Sequence, residues 1–264
     1  MWIQISVEDS EFQIFSDNLR LHGVITEAPI DKGSFHTHNV GLGDELELTA
    51  DDGWNSADVK LLSEAVQDGG RAKIGIIVVA RVTSTRLPNK AICKILDQES
   101  IRVLLKRLKR IKNSNEIILA TSIDKSDDIL EEIAFKEKVN FYRGSLNNVA
   151  LRFYEAAKKY KLDQIVRVTG DAILCDEIML EKAIDNQLVK GCDVTFINNM
   201  PYGTAKEVFT FRTIEMIAKY AIRPENTEYL EWYLENTRNF KVDFIESEYV
   251  FDKSIRLTLD YKED

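Results

Sequence analysis

One stretch, Ile74-Gly75-Ile76-Ile77-Val78-Val79-Ala80, constrains this chain more than any other feature. It is an unbroken apolar run of strand length, rich in β-branched residues, with no polar position to face water. Such a strand must be buried on both faces, which happens in parallel sheets covered by helices. The sequence after it supplies those helices. Ile101 to Ile111 places Val103, Leu104, Leu105, Leu108 and Ile111 at helical spacing, with Lys and Arg between. Asp127 to Glu137, Val149 to Tyr160 and Glu177 to Val189 read as further helices. Glu116 to Ala120, Val139 to Tyr142, Gln164 to Val168 and Asp193 to Ile197 read as strands. The alternation predicts an α/β fold: a Rossmann-like, mostly parallel sheet with helices on both faces. Ligands of such sheets lie at the carboxyl ends of the strands. Arg81 onward, Thr121-Ser122 and Thr169-Gly170-Asp171 each follow a buried strand, so one crevice is expected to gather them.

Residues 1–70 have a different character. They hold 14 Asp/Glu against 3 Lys/Arg, a net of −11, whereas the remainder carries 32 Lys/Arg against 30 Asp/Glu. The alternation of Trp2 to Val7 and Glu45 to Leu48, broken by Gly and Asp clusters, reads as β structure. Asn55 to Asp58 would cap a short helix running to about Val66, and Asp68-Gly69-Gly70 would link to the next part. The expected organisation is a small, mostly β domain over 1–70 and an α/β domain over 71–264. No apolar run reaches the length of a membrane span, and Met1 to Asp9 lacks the pattern of a secretory signal. Three Cys without a CxxC pair argue against a disulfide framework or zinc ribbon. Cys175 and Cys192 sit in apolar settings and read as buried free thiols. These features point to a soluble cytoplasmic protein. No basic stripe is present, so no nucleic-acid partner is expected for the α/β domain.

Three motifs carry chemistry. Directly after the first strand come Arg81, Thr83, Ser84, Thr85, Arg86, Pro88 and Lys90: three cations and three hydroxyls on a Pro-stiffened turn. The spacing is not that of a Walker A loop, yet guanidinium forks, an ammonium and hydroxyls suit a polyphosphate. Next, Arg167-Val168-Thr169-Gly170-Asp171 puts a carboxylate after a Gly at a strand end. Last, Arg256-Leu257-Thr258-Leu259-Asp260 reads as a strand ending in a second Asp. Two carboxylates that meet could hold Mg²⁺ together with substrate phosphates.

Together these motifs resemble the cytidylyltransferases that activate acidic or amino sugars. The likeness is to the SpsF-type spore-coat polysaccharide branch, with CMP-acylneuraminate and CMP-Kdo synthetases as cousins. It runs over residues 73–264 and includes Arg143-Gly144-Ser145 with Arg152, and Glu207-Val208-Phe209. The resemblance implies a Mg²⁺-dependent transfer of CMP from CTP to a sugar, with release of pyrophosphate, in surface polysaccharide biosynthesis. It implies Arg81 and Lys90 as principal phosphate ligands and catalytic residues. Ser84, Arg86, Thr121, Ser122, Arg167 and Glu207 would bind substrate, with Thr121 and Ser122 near the cytosine, and Asp171 and Asp260 would hold the metal. It also implies a homodimer and a closing helix beyond Asp264. Ala205 and Asn148 stand where the family commonly has Asp.

Residues 2–66 are similar to the N-terminal, Sm-like domain of Pelota. The matching residues include Val7 to Phe12, Leu19 to Ile25, Gly33 to Val40, Gly43 to Leu46 and Leu61 to Val66. Strands expected before Met1 are absent from the sequence, so the likeness is to part of that domain. It implies a protein or ribosome partner for this segment. It also sets an alternative reading for the whole chain: a translation- or mRNA-surveillance-associated binding protein in which the α/β domain is secondary. His36 and His38 alternate on one strand face, but without nearby Cys they are read as fold residues and not metal ligands.

Overall fold

The computed structural model describes residues 72–84, 86–220, 230, 234, 240–249, 251, 252 and 254–264. The β structure, capped helix and histidines read in residues 1–70 lie outside the described residues, as does Thr85.

The apolar run forms β1 (Ile74–Val79), and every one of its residues is buried. The short hairpin of β2 (Lys94–Ile95) and β3 (Gln98–Glu99) leads into helix α1 (Ser100–Leu108). Then follow β4 (Glu116–Ser122), α2 (Asp128–Lys136), β5 (Asn140–Gly144), α3 (Val149–Lys159), β6 (Gln164–Thr169) and α4 (Glu177–Lys190). The described chain continues with β7 (Val194–Asn198), β8 (Glu207–Thr210), α5 (Phe211–Tyr220) and β9 (Val242–Glu246). The sheet order is β5-β4-β1-β6-β8-β7-β9. β1 pairs in parallel with β4 and β6, β5 is parallel to β4, and β9 is parallel to β7. β8 runs antiparallel to both β6 and β7.

Alternate residues of β1 feed two cores. Ile74, Ile76 and Val78 belong to the core with Leu104 of α1, Ile133 of α2 and Leu180 of α4. Ile77 and Val79 belong to the core with Phe153 of α3 and Ile214 of α5. The predicted two-sided cover is therefore present, and each fully buried Ile, Leu or Phe contributes about 1.5–3 kcal/mol. Helix ends follow local chemistry. The Asn148 side chain accepts from Leu151 N–H to cap α3, as a carboxylate would at that position. Asp176 caps α4 through the Ile178 and Met179 N–H groups, and Gly191 ends it in the left-handed region.

Three departures from the sequence reading stand out. Arg256 to Asp260 is not a strand: only Arg256 forms a bridge, to Tyr202, because its neighbour is the loop before β8 and not a strand. The helix read to Ile111 stops at Leu108, where Arg110 and Ile111 turn back onto Arg107 and Leu108 in three-residue steps. The helix read from Asp127 begins at Asp128, after a 3₁₀ turn over Lys125–Asp127.

After β1 the chain builds outward through β4 to β5, then crosses back to place β6 on the other side of β1. The carboxyl ends of β1 and β6 therefore flank a topological switch point, where such sheets open a crevice. The two ends approach closely. The Gly170 N–H donates to Val79 O at 2.9 Å, and a Cβ on Gly170 would stand 2.8 Å from the Ala80 Cβ.

Candidate active site

The basic loop leaves β1 at this crevice. Buried Asp127 fixes its first residues: one carboxylate oxygen accepts from Val82 N–H at 2.7 Å, the other from Ser122 N–H at 3.2 Å and from the Ser122 hydroxyl. One side chain thus ties the β1 loop to the end of β4. Further on, Asn89 adopts φ 61° and its N–H returns to Val82 O, which closes the loop and turns Lys90 inward. Ser84 Oγ accepts from Leu87 N–H at 3.5 Å. Arg81 is exposed at the mouth. Behind it lies Arg152, buried and donating to the carbonyls of Ser145 and Leu146. Burial pulls the Arg152 pKa down to about 10, and the charge of Arg81 adds to that fall against the opposing pull of Asp127. Two guanidinium groups, Arg81 and Arg152, thus stand near buried Asp127, which offsets part of their charge.

Two carboxylates separated widely in sequence meet behind this loop. Leu259 N–H donates to Asp171 O at 2.9 Å, which docks the C-terminal segment on the end of β6. Gly203, at φ 97°, permits the same docking, since a Cβ there would lie 2.7 Å from Leu257 O. As a result Lys90 Nζ stands 3.0 Å from Asp260 Oδ1 and 3.7 Å from Asp171 Oδ2. Arg86 Nη2 also reaches Asp260 Oδ1 at 3.0 Å, and Arg256 Nη2 reaches Asp260 Oδ2 at 2.7 Å. Thr258 Oγ1 lies 3.3 Å from Asp171 Oδ2 and 3.4 Å from Asp260 Oδ2, and its one proton serves them in turn. Burial alone would raise the Asp171 pKa. The Lys90 charge, the Thr169 hydroxyl and the Lys206 charge outweigh it and hold the carboxyl below its usual range.

The predicted residues fall into groups. Arg86, Lys90, Asp171 and Asp260 come together as one cluster, with Arg81 and Ser84 on the same loop. Thr121 and Ser122 lie at the neighbouring β4 end, both buried. Thr121 Oγ1 has no hydrogen-bond partner among the described residues, whereas the Ser122 hydroxyl is committed to Asp127. Arg167 and Glu207 face each other across β6 and β8 and form an ion pair at 3.0 Å. Four contributors escaped sequence reasoning as site residues: Asp127, Arg256, Thr258 and Lys206. Arg256 and Thr258 stand within the quoted motif, so their proximity to Asp260 was the available signal. Asp127 acts through the fold and left no local trace.

Among the described residues no group of three or more His, Cys, Asp or Glu converges as a metal site. The Asp171–Asp260 pair nevertheless fits a Mg²⁺ that keeps substrate phosphates as further ligands. Asp171 Oδ1 is a buried acceptor without a partner, and the facing oxygens of both carboxylates already share one cation. Beside this cluster, a cavity of about 640 Å³ is lined by Asn198, Asn199, Met200, Tyr202, Ser247, Tyr249 and Phe251. Tyr202 joins the two regions, because its ring lies 5.8 Å from the guanidinium carbon of Arg256.

Comparison with known proteins gives two matches. Residues 75–255 match the family described as cytidylyltransferase, and residues 1–66 match the Pelota N-terminal domain. An uncharacterised protein of Methanocaldococcus jannaschii is 39% identical over 194 residues, 73% of this chain and 80% of its own length. The spore coat polysaccharide biosynthesis protein SpsF of Bacillus subtilis is 31% identical over 195 residues, 71% of this chain and 81% of its own length. The structure of a cytidylyltransferase from Leptospira borgpetersenii superposes with a TM-score of 0.70 at 34% identity, covering 74% of this chain and 84% of that one. The Pelota likeness is partial in the other direction: the chain spans 36% of the Sulfurisphaera tokodaii homologue, at 33% identity.

Proposed function

The chain belongs to the cytidylyltransferase family over residues 75–255, and from that premise we propose that it transfers CMP from CTP to a sugar hydroxyl and releases pyrophosphate. The observation that carries this reading is the convergence of Lys90 and Arg86 with Asp171 and Asp260 beside the carboxyl ends of β1 and β6. The sugar oxygen forms a bond to the α-phosphorus as the α–β anhydride bond breaks. The electron pair leaves with pyrophosphate, and the hydroxyl proton passes to solvent. Lys90 and Arg81 neutralise phosphate oxygens, with Arg86 and Ser84 in support. Catalysis then rests on positioning and charge neutralisation, without a covalent intermediate. Thr121 offers its unpartnered hydroxyl at the end of β4, where the base would lie. The Arg167–Glu207 pair supports the site by fixing β8 against β6. Mg²⁺ held by Asp171 and Asp260 would supply charge stabilisation to the reacting phosphate.

The acceptor is proposed to occupy the cavity beside Asp260. Its three aromatic rings and two side-chain amides suit the apolar faces and the hydroxyl or acylamino groups of a sugar. Similarity to SpsF supports a role in surface polysaccharide synthesis, and use of CTP would suit a cytoplasmic setting. No described helix is long and apolar enough to cross a membrane. The test is pyrophosphate release from CTP with Mg²⁺ and a panel of acidic and amino sugars. Lys90→Ala and Asp171→Ala are each expected to remove at least about 99% of turnover, some 2.7 kcal/mol of barrier. Normal turnover in both would sink the assignment.

The Pelota match favours a second role for residues 1–70 as a separate, acidic, protein-contacting module. Deletion of residues 1–70 should leave pyrophosphate release within about twofold. Loss of ribosome co-sedimentation on that deletion would support the binding role, and unchanged co-sedimentation would remove it.

A further inference from the structure

Asp260 is 3% exposed, and a carboxylate so deeply buried needs charge compensation. It receives three cations, and they are not equivalent. Arg256, on Oδ2, comes from the same segment four residues away. Its guanidinium carbon lies 5.1 Å from the Tyr261 ring and 5.8 Å from the Tyr202 ring, so two aromatic faces hold it in place. Lys90 and Arg86, on Oδ1, come from the phosphate loop, and Arg86 is 52% exposed. Asp260 Oδ1, which shares Lys90 with Asp171 Oδ2, is therefore compensated by the same two side chains that the triphosphate requires.

We propose that Lys90 and Arg86 are exchangeable counter-ions of the Asp171–Asp260 pair, displaced by a divalent cation as the triphosphate draws them off. This rests on the metal-dependent transfer proposed above. The exchange is electroneutral for the carboxylates: two single positive charges leave and one double charge enters. Either ligand alone disrupts the arrangement without replacing what it removes. A metal without nucleotide must displace Lys90 into open crevice, and a triphosphate without metal strips Asp260 Oδ1 of its two counter-ions and leaves Arg256 alone on Oδ2. Each ligand therefore raises the affinity for the other by the same factor, since equilibrium coupling is reciprocal. Arg256 stays on Oδ2 throughout and keeps Oδ1 aimed at the exchange position.

Mn²⁺ binding to the full chain, followed by the electron paramagnetic resonance of free Mn²⁺, tests this without turnover. Nucleotide is left out of the decisive arm, because CTP chelates Mn²⁺ by itself. Lys90→Met should tighten Mn²⁺ binding at least about tenfold, within the usual range of coupling. Arg86→Met, at a half-exposed position where folding is not at stake, should move it in the same direction. Arg81→Met makes the same charge change in the same loop, away from both carboxylates, and should tighten binding less than threefold. In thermal unfolding, Mn²⁺ should stabilise Lys90→Met and leave the parent chain nearly unmoved. Unchanged Mn²⁺ affinity in Lys90→Met and Arg86→Met, or an Arg81→Met effect equal to that of Lys90→Met, overturns the exchange. If the parent chain binds Mn²⁺ with CTP while Lys90→Met changes nothing without it, the exchange alone fails. If no variant binds Mn²⁺ beyond what CTP chelates, the metal reading fails and takes the exchange with it.

Discussion

Gly170→Ala tests how the crevice is built. The backbone of Gly170 is outside the left-handed region, so alanine meets no conformational penalty there and packing alone decides the outcome. The added methyl would stand 2.8 Å from the Ala80 Cβ, with Ile101 Cδ1 and Val79 O at 3.4 Å. The two longer contacts are ordinary. The first is not, and both its atoms are fixed to backbone, so the ends of β1 and β6 must move apart. Overpacking of this kind costs about 2 kcal/mol, which lowers the midpoint of thermal unfolding by roughly 4–8 °C in a domain of this size. The same separation moves the Arg81 loop away from Asp171. A tenfold fall in kcat/KM for CTP, about 1.4 kcal/mol, is the expected consequence. Ala80→Gly removes the opposing methyl. The double variant should therefore recover most of both losses, with a coupling energy of about 1–2 kcal/mol. Additive losses in the double variant, or a Gly170→Ala protein that melts and turns over like its parent, would refute the close-approach argument.

Other consequences can be read in the same way. Asp127→Ala strips acceptors from the Val82 and Ser122 N–H groups and from the Ser122 hydroxyl, at about 1–3 kcal/mol for a buried group left unsatisfied. Chemical denaturation should show that loss together with a raised KM for CTP. Burial acts to raise the Glu137 pKa, but Arg102 and Lys109 overcome it and keep the carboxyl below its ordinary value of 4.5. Its stabilisation is therefore present above that value and fades as pH falls through the lowered one. Glu137→Gln should cost about 1 kcal/mol at pH 7, with the gap to the parent closing in urea titrations as pH falls below the ordinary carboxylate value. Burial pushes the Cys175 thiol up to about 12, and Cys192 is buried as well. Iodoacetamide on the folded chain should label Cys93 within the time that leaves Cys175 unmodified, as read by peptide mass.

The fold was legible where burial was continuous. β1, β4, β6 and the helices facing them carry their periodicity in the sequence, and the crevice at their carboxyl ends follows from topology. β8 and β9 were not legible as strands. Glu207 to Thr210 is only four residues long and runs antiparallel to β6, with Glu207 opposite Arg167. Val242 to Glu246 is an edge strand with no fully buried residue to mark it. The alternation of Arg256 to Asp260 suggested a strand, yet the segment buries Thr258, Leu259 and Asp260 while leaving Arg256 exposed beside its aromatic neighbours. The candidate site residues could each be named from their loops. That Lys90 stands between Asp171 and Asp260, or that Thr258 shares one proton between them, depends on backbone contacts between segments almost ninety residues apart. No local pattern reports those.

The central claim is most directly tested by the product formed. The full chain is incubated with Mg²⁺, an acidic or amino sugar and each of CTP, UTP, GTP and ATP in turn, and both pyrophosphate and the nucleotide sugar are identified by mass. The account predicts pyrophosphate and a CMP-sugar in equal amounts from CTP, far ahead of the other nucleotides, and neither product from Asp171→Ala. Equal use of all four nucleotides, or undiminished product from Asp171→Ala, would contradict it.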